Sequence, residues 1–488
     1  MFVGAPPPKP PSEAMSDIKK KLDGLREQLG LVSAKDISPE TRGKRKVPPE
    51  KTAPGADRAG GVLSNALAAQ LRARMLSGAA PTRQRDDAAE AAPVEIDGVL
   101  RGEYVGDPDS AFFLLRKRYA LDHAVGDVPL GAALRCGGRE IALSACDDAL
   151  LEFDPRTACF MDTETTGLAG GAGTVAFLVG MGFFDAQTFV LEQCFLRDYD
   201  DEAPMLTYLA QKLAAFATIV SYNGKSFDLP LLRARFVQHR IPFPLDGAAH
   251  YDLVHAARRV WKKRLNNCAL NNIEKEVLGL HRRGDVPGCL IPQLWLDYLD
   301  TRDARPLVPV FYHHEMDILS LAALAGYLAQ RLAADNSASF RHAEDRLAVV
   351  RLYVRNKNYE SAIAAAQRFL ETSIVRDELR RECFALLGKS CKKAGLFEDM
   401  AQAWARMHEE YPDDAGAAAE LAKYREHQEG DIAGAITVCR ETLTRIETDA
   451  PPADFSISAL RGRLARLEKK RRKLQQRLGG DNAFFADE

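Results

Sequence analysis

The segment Cys159-Phe160-Met161-Asp162-Thr163-Glu164-Thr165-Thr166-Gly167-Leu168 ends an apolar run in two carboxylates one residue apart. Read as a strand, the run points Asp162 and Glu164 to the same face at its exit. Two acids so close repel each other, which costs free energy unless a cation, a proton or a basic partner lies between them. Taken alone, such a pair is more often the end of a solvated strand than a metal site. Two further stretches carry acids of the same kind. Ser221-Tyr222-Asn223-Gly224-Lys225-Ser226-Phe227-Asp228 follows a second apolar run, Ala217 to Val220, and sets Asp228 at the start of a helical pattern. Tyr312-His313-His314-Glu315-Met316-Asp317 sets Asp317 inside another. Four carboxylates from three segments are thus expected to meet at one site, with a divalent metal as the occupant their chemistry favours.

These three stretches resemble the exonuclease motifs of the DEDD superfamily of 3′→5′ exonucleases, which have the ribonuclease H-like fold. Asp-Thr-Glu-Thr-Thr-Gly-Leu is similar to the first motif of the proofreading exonucleases. Tyr-Asn-Gly-Lys-Ser-Phe-Asp is similar to the second motif of the exonuclease domain of family B DNA polymerases. Their order, together with Gly-Gly-Ala-Gly-Thr-Val-Ala-Phe-Leu-Val-Gly after the first motif, resembles the YprB-type branch of bacterial ribonuclease H-like proteins over about residues 95 to 335. The resemblance implies an enzyme that hydrolyses phosphodiester bonds of nucleic acid, DNA or RNA, at single-stranded ends.

Such hydrolysis needs a water made nucleophilic and a developing negative charge neutralised, and two metal ions about 4 Å apart do both. Oxygen-only ligands select hard cations, so two Mg²⁺ or Mn²⁺ ions are expected, held by Asp162, Glu164, Asp228 and Asp317. In one subclass of the family a histidine stands five residues before the last aspartate, and in the other a tyrosine stands four before it. Here Tyr312 holds the first place and His313 the second, so the identities are interchanged. Histidine titrates near neutrality, which makes His313 the expected general base, with His314 and Tyr312 as alternatives. Thr165, Thr166 and Leu168 match family positions that hold the terminal nucleotide. Asn223 and Lys225 stand at a strand-to-helix turn where amide donors and a cation suit phosphate oxygens. A rival reading from another class is a non-catalytic nucleic-acid-binding or protein-interaction scaffold; the complete set of four acids favours the enzyme.

The elements that must position these residues are legible along the 488-residue chain, whose 46% hydrophobic content suffices for two or three domains. Residues 156 to about 334 alternate strand and helix patterns, with strands near 157–163, 174–184, 187–197, 217–222 and 250–253 and helices near 203–216 and 227–239. An early meander and later strand-helix-strand units predict a mixed sheet flanked by helices, the α/β plan of the ribonuclease H-like fold. Upstream, 93–155 reads as an extension of that domain (93–335), with short β-like runs at Gly98–Val105 and Glu140–Leu143. Residues 1–92 have a composition that predicts disorder, interrupted by helical spacing at Met15–Leu31 and at Leu63–Leu76.

Downstream, 341–450 is helical with an internal repeat. The segments beginning at Lys357, Gly395 and Gly430 align at spacings near 35 to 38 residues and resemble tetratricopeptide repeats, which either pack on the catalytic domain or dock a protein partner. A basic amphipathic helix over 456–478 carries Leu460, Leu464, Leu467, Leu474 and Leu478 on one face. Arg258-Arg259-Val260-Trp261-Lys262-Lys263-Arg264 reads either as a track for a single strand or as a solvated helix face.

Formal net charge is only −2, so a nucleic-acid role rests on such local clusters. Nine cysteines without a C-x-x-C pair argue against a disulfide framework or a zinc site and fit a reducing cytoplasm. Prolines within Met1–Pro11 argue against a signal peptide. The uncharged stretch Gly167–Phe184 is too short in its apolar part to span a membrane, and reads as a glycine loop followed by a buried strand.

Overall fold

In the computed structural model the described residues are 92–167, 173–333, 339–371, 375–448 and 455–481. Residues 1–91, with both expected N-terminal helical segments, and 168–172, with Leu168, lie outside them. Nine strands are described: β1 (Glu103–Asp107), β2 (Ser110–Ala120), β3 (Ala124–Val125), β4 (Val128–Pro129), β5 (Ala158–Thr165), β6 (Ala176–Phe184), β7 (Thr188–Phe195), β8 (Thr218–Ser221) and β9 (Ala249–Asp252). Seven form one sheet in the order β1-β2-β7-β6-β5-β8-β9, while β3 and β4 pair separately. The β5-β8 and β8-β9 pairs are parallel and the others antiparallel, so the sheet is mixed, as expected.

Strand β5 lies inside the sheet, between β6 and β8, because its first four residues are apolar on both faces, and all four are buried. Phe160 joins a core that includes Trp261, Ile318, Leu321 and Ala322. Cys159 and Met161 join the core on the other side, with Met205, Leu206, Leu232 and Trp295. Helices therefore cover both faces: α1 (Gly138–Ala145), α4 (Leu253–Trp261) and α6 (Val308–Leu332) one, and α2 (Glu202–Leu213), α3 (Asp228–Gln238) and α5 (Ile291–Thr301) the other. By the alternation of a strand, Asp162 and Glu164 share the face of Phe160, the one that α6 covers.

Two glycines let α6 approach that face. Gly182 and Gly180 on β6 pair with Phe160 and Asp162. A β-carbon on Gly180 would come within 2.1 Å of Ile318 Cδ1 and 2.4 Å of His314 Cε1, and one on Gly182 within 2.6 Å of Ile318 Cγ2. No side chain fits there, so α6 rests against bare backbone and brings Asp317 up to the end of β5.

Two upstream expectations are corrected. Glu140–Leu143 is not a β-like run but part of α1, which buries Ile141 and Ala142; a short apolar run does not separate strand from helix. The sheet gains an eleven-residue strand, β2, that the sequence reading did not isolate. Its first half is buried continuously and only its charged second half alternates, so no single period marks it.

The C-terminal region is all helical: α7 (Ala343–Arg355), α8 (Tyr359–Leu370), α9 (Asp377–Ala394), α10 (Phe397–Glu410), α11 (Ala415–Tyr424), α12 (Ile432–Thr448) and α13 (Phe455–Asp481). The three aligned segments fall at equivalent turns. Lys357, Gly395 and Gly430 each take left-handed φ, at 57°, 79° and 71°, between the helices of successive hairpins. Along α13, Leu460 and Leu467 are buried with the hairpins and Leu464 is partly so, whereas Leu474 is exposed.

Helix α7 belongs to two cores. Ala348, Val349 and Leu352 pack with Trp261 in the core of the sheet domain, and Leu347 and Val350 pack in the helical one. The basic segment after β9 serves this junction. Arg264 binds Asp345 at 3.0 Å, Lys263 and Arg351 both bind Glu382, Arg259 donates to the Ser144 carbonyl at 2.9 Å, and Trp261 is buried. The two readings of Arg258–Arg264 are corrected in part: two of its five charges, Lys263 and Arg264, tie the helical region to the sheet domain, while Arg258 and Lys262 are exposed.

Candidate metal centre

Three elements bring the four acids together. Asp162 and Glu164 leave the end of β5, where the pairing with β6 shifts register between Glu164 and Thr165. Asp228 is the first residue of α3, and Asp317 lies in the first half of α6. The side chains of Glu164, His313 and Asp317 offer ligand atoms all within 4.8 Å of one another. Asp228 is buried and accepts a hydrogen bond from Thr163 Oγ1.

Crowding shows in their titration. Burial first, then the neighbouring Asp317, Asp228 and Glu164, holds the Asp162 carboxyl well above the usual carboxylate range. Glu164 is pushed up to about 8, by burial and by Asp317 and Asp228, although His313 opposes this. Asp228 is raised chiefly by burial. Acids that resist ionisation because they are buried, two of them also facing one another, are the chemistry of a cation site. Oxygen donors with one imidazole at the rim fit a hard divalent ion such as Mg²⁺ or Mn²⁺.

The two adjacent histidines have different surroundings. His314 is fully buried; Gln193 Nε2 lies 3.1 Å from its Nδ1, and its Nε2 lies 3.0 Å from the Asp162 carbonyl oxygen. Burial pulls it down to about 4, so it is a neutral imidazole that anchors the backbone of Asp162. Both nitrogens are engaged, which leaves it no role as a base. In His313, Nδ1 is 2.8 Å from Asp285 Oδ1, while Nε2 faces Asp317 Oδ2 at 3.5 Å and Glu164 Oε1 at 4.0 Å. Burial alone would lower it, but Asp285, Asp317 and Glu164 outweigh burial and raise it to about 9. Tyr312 is raised chiefly by burial, and its hydrogen-bonding neighbour is the backbone at Arg283.

The expected substrate residues divide. Thr165 Oγ1 donates to the Gly167 carbonyl at 3.1 Å, and Thr166 Oγ1 accepts from the Val175 amide at 3.1 Å, so both side chains shape the loop entry. Asn223 has left-handed φ of 72°. Its amide and that of Lys225 donate to the two oxygens of Asp252, at 2.7 and 3.1 Å. The amides expected to meet phosphate are thus already taken, which corrects that expectation; Lys225 Nζ is half-exposed, 3.9 Å from Asp147.

Sequence reasoning missed Thr163, Asp252, Glu274, Arg282 and Asp285. Arg282 is the largest omission. Its buried guanidinium binds Asp317 Oδ1 and both oxygens of Glu274, and donates to the His313 carbonyl at 3.2 Å. The one available signal was the polar run His281 to Asp285 directly after Leu278-Gly279-Leu280.

Comparison with known proteins agrees with this architecture. The RNase H superfamily model RNase_H_2 matches residues 159–329, which span every acid of the centre. The uncharacterized protein YprB of Bacillus subtilis (strain 168) is 31% identical over 323 residues, covering 65% of this chain and 76% of the relative. The chain belongs to the RNase H superfamily, in the same family as YprB.

Proposed function

We propose that the protein is a metal-dependent 3′→5′ exonuclease of the DEDD type that hydrolyses phosphodiester bonds at single-stranded ends of DNA or RNA. The observation that carries this reading is the convergence of Asp162, Glu164, Asp228 and Asp317 from β5, α3 and α6, with too little basic charge nearby to balance them. Two divalent ions, Mg²⁺ or Mn²⁺, when bound by these acids would supply an acidified water and charge neutralisation at phosphorus. His313 is the general base. Its Nδ1 is held by Asp285, so Nε2 faces the acids, where the imidazole would accept a proton from water with bound cations offsetting the charge of the acids that raise it. Lys225, at the turn before Asp228, meets a phosphate oxygen. The nuclease unit spans 93–335. The hairpins of 341–450, as tetratricopeptide-like repeats, offer a protein-docking face in the cytoplasm, and no described helix is long and apolar enough to cross a membrane.

End-labelled single- and double-stranded DNA and RNA, incubated with Mg²⁺ or Mn²⁺ and with chelator, test the reading. Stepwise loss of nucleotides from a free 3′ end is expected, with none from a 3′-blocked strand. Cleavage that persists in chelator, or that begins at a 5′ end, refutes it.

A further inference from the structure

Between Gly279 and Gly288 the chain crosses the N-terminal half of α6 and grips it at two residues that face the acids. Arg282 Nη2 binds Asp317 Oδ1 and Nη1 donates to the His313 carbonyl, while Asp285 takes His313 Nδ1. Behind Arg282 stands Glu274, whose carboxylate is almost fully buried and receives both Nε, at 2.8 Å, and Nη2. The guanidinium itself is about as buried, at 8% side-chain exposure. The guanidinium takes Oδ1 of Asp317, and Oδ2 is the oxygen turned to His313, 3.5 Å from its Nε2. A planar fork bridging three carboxylates, Asp285 at 3.4 Å being the third, and a carbonyl fixes direction as well as charge, which an ammonium does not.

We propose that Arg282, held from behind by Glu274, is a positioning residue of the metal centre: it fixes Asp317 as a one-oxygen ligand through Oδ2. The inference rests on the nuclease reading and names a part of the site that the four acids leave unexplained. Partners behind a ligand set its orientation, and losing one costs about 10- to 100-fold in metal affinity. A purely electrostatic role gives the opposite sign, since a cation beside Asp317 competes with the metal and its removal tightens binding.

Two variants of the full chain separate these cases. Arg282→Lys keeps the charge and loses the fork. The double variant Glu274→Gln/Arg282→Gln removes both partners of the buried pair together, so net charge is unchanged, and the two carboxylates that lose the guanidinium, Asp317 and Asp285, each keep His313 as a neighbour. Mn²⁺ binding is measured by titration calorimetry, and folding by thermal melts in chelator. The expected result is Mn²⁺ affinity at least about 10-fold weaker than wild type in both variants, with the double variant melting in chelator close to the wild type. Affinity within twofold of wild type, or tighter, in the folded double variant overturns the inference while leaving the nuclease reading in place. If only the lysine variant folds, unchanged affinity in it overturns the inference equally. A wild-type protein that binds no Mn²⁺ overturns the nuclease reading itself, and the inference with it.

Discussion

Replacing Glu164 by Gln keeps the shape of the side chain and deletes one ionisable group from the centre. In the wild type this carboxyl titrates at about 8 in place of 4.5, because it is buried beside Asp317 and Asp228. A group whose folded pKa lies above its unfolded value stabilises the fold fully below the unfolded value, and that stability is lost as pH rises through the folded one. Across pH 4.5 to 8 the folded chain holds a proton that the unfolded chain has released. The metal-free wild type should therefore lose about 1.4 kcal/mol per pH unit from Glu164 alone, roughly 4–5 kcal/mol across the window. His313, raised from 6.5 to about 9, adds a slope of the same sign above pH 6.5, and Glu164→Gln keeps the part of it that Asp285 and Asp317 cause. Urea denaturation in chelator at half-unit steps from pH 5 to 8.5 measures both slopes. Glu164→Gln should fall less steeply by about 1.4 kcal/mol per pH unit, and so become the more stable protein at the alkaline end. Parallel curves would refute the account, since they would mean that Glu164 ionises as an ordinary surface acid and feels no neighbouring charge.

Asp162→Asn should leave thermal stability in chelator equal or higher, because it relieves the crowding of acids, and should abolish most of the wild-type stabilisation by Mg²⁺; equal metal-induced shifts in melting would mean that Asp162 is no ligand. His313→Ala should lower turnover about 10²- to 10⁴-fold with little change in substrate binding. Tyr312→Phe should do less, and steady-state kinetics showing the reverse order would move the base to Tyr312. Truncation should depend on α7: a chain ending at residue 340 exposes the sheet-domain core that Ala348, Val349 and Leu352 cover. That chain should be less stable than one ending at residue 371 by about 3–6 kcal/mol, counted at roughly 1.5–3 kcal/mol for each large apolar side chain. Urea midpoints of the two fragments check this, and equal midpoints would show that α7 is dispensable to the sheet domain.

What was legible in the chain was local. A period of two puts Asp162 and Glu164 on one face of β5, and a period near four puts His313 and Asp317 on one face of α6. The strand and helix limits between 157 and 253 followed from the same periods, and the turns at Lys357, Gly395 and Gly430 from internal alignment. What stayed hidden depends on contacts distant in sequence. Asp285 is 28 residues from His313, and Arg282 is 35 from Asp317. Nothing near either residue distinguishes a buried fork from a solvated loop until α6 lies against Gly180 and Gly182. The basic run Arg258–Arg264 misled for the same reason: its acidic partners Asp345 and Glu382 lie in a different helical layer.

The doubly packed α7 has a thermodynamic consequence. A helix whose opposite sides complete two hydrophobic cores couples their melting in the full chain, so that each core is stabilised by the other. A ligand held anywhere along the hairpins then raises the free energy of unfolding for the whole body by its own binding free energy. That increment protects the acids at the end of β5 from the whole-body opening that would cost them their register, without any change in their positions. Occupancy of the helical region would thus be recorded at the carboxylate cluster as slower amide exchange in β5 and α6.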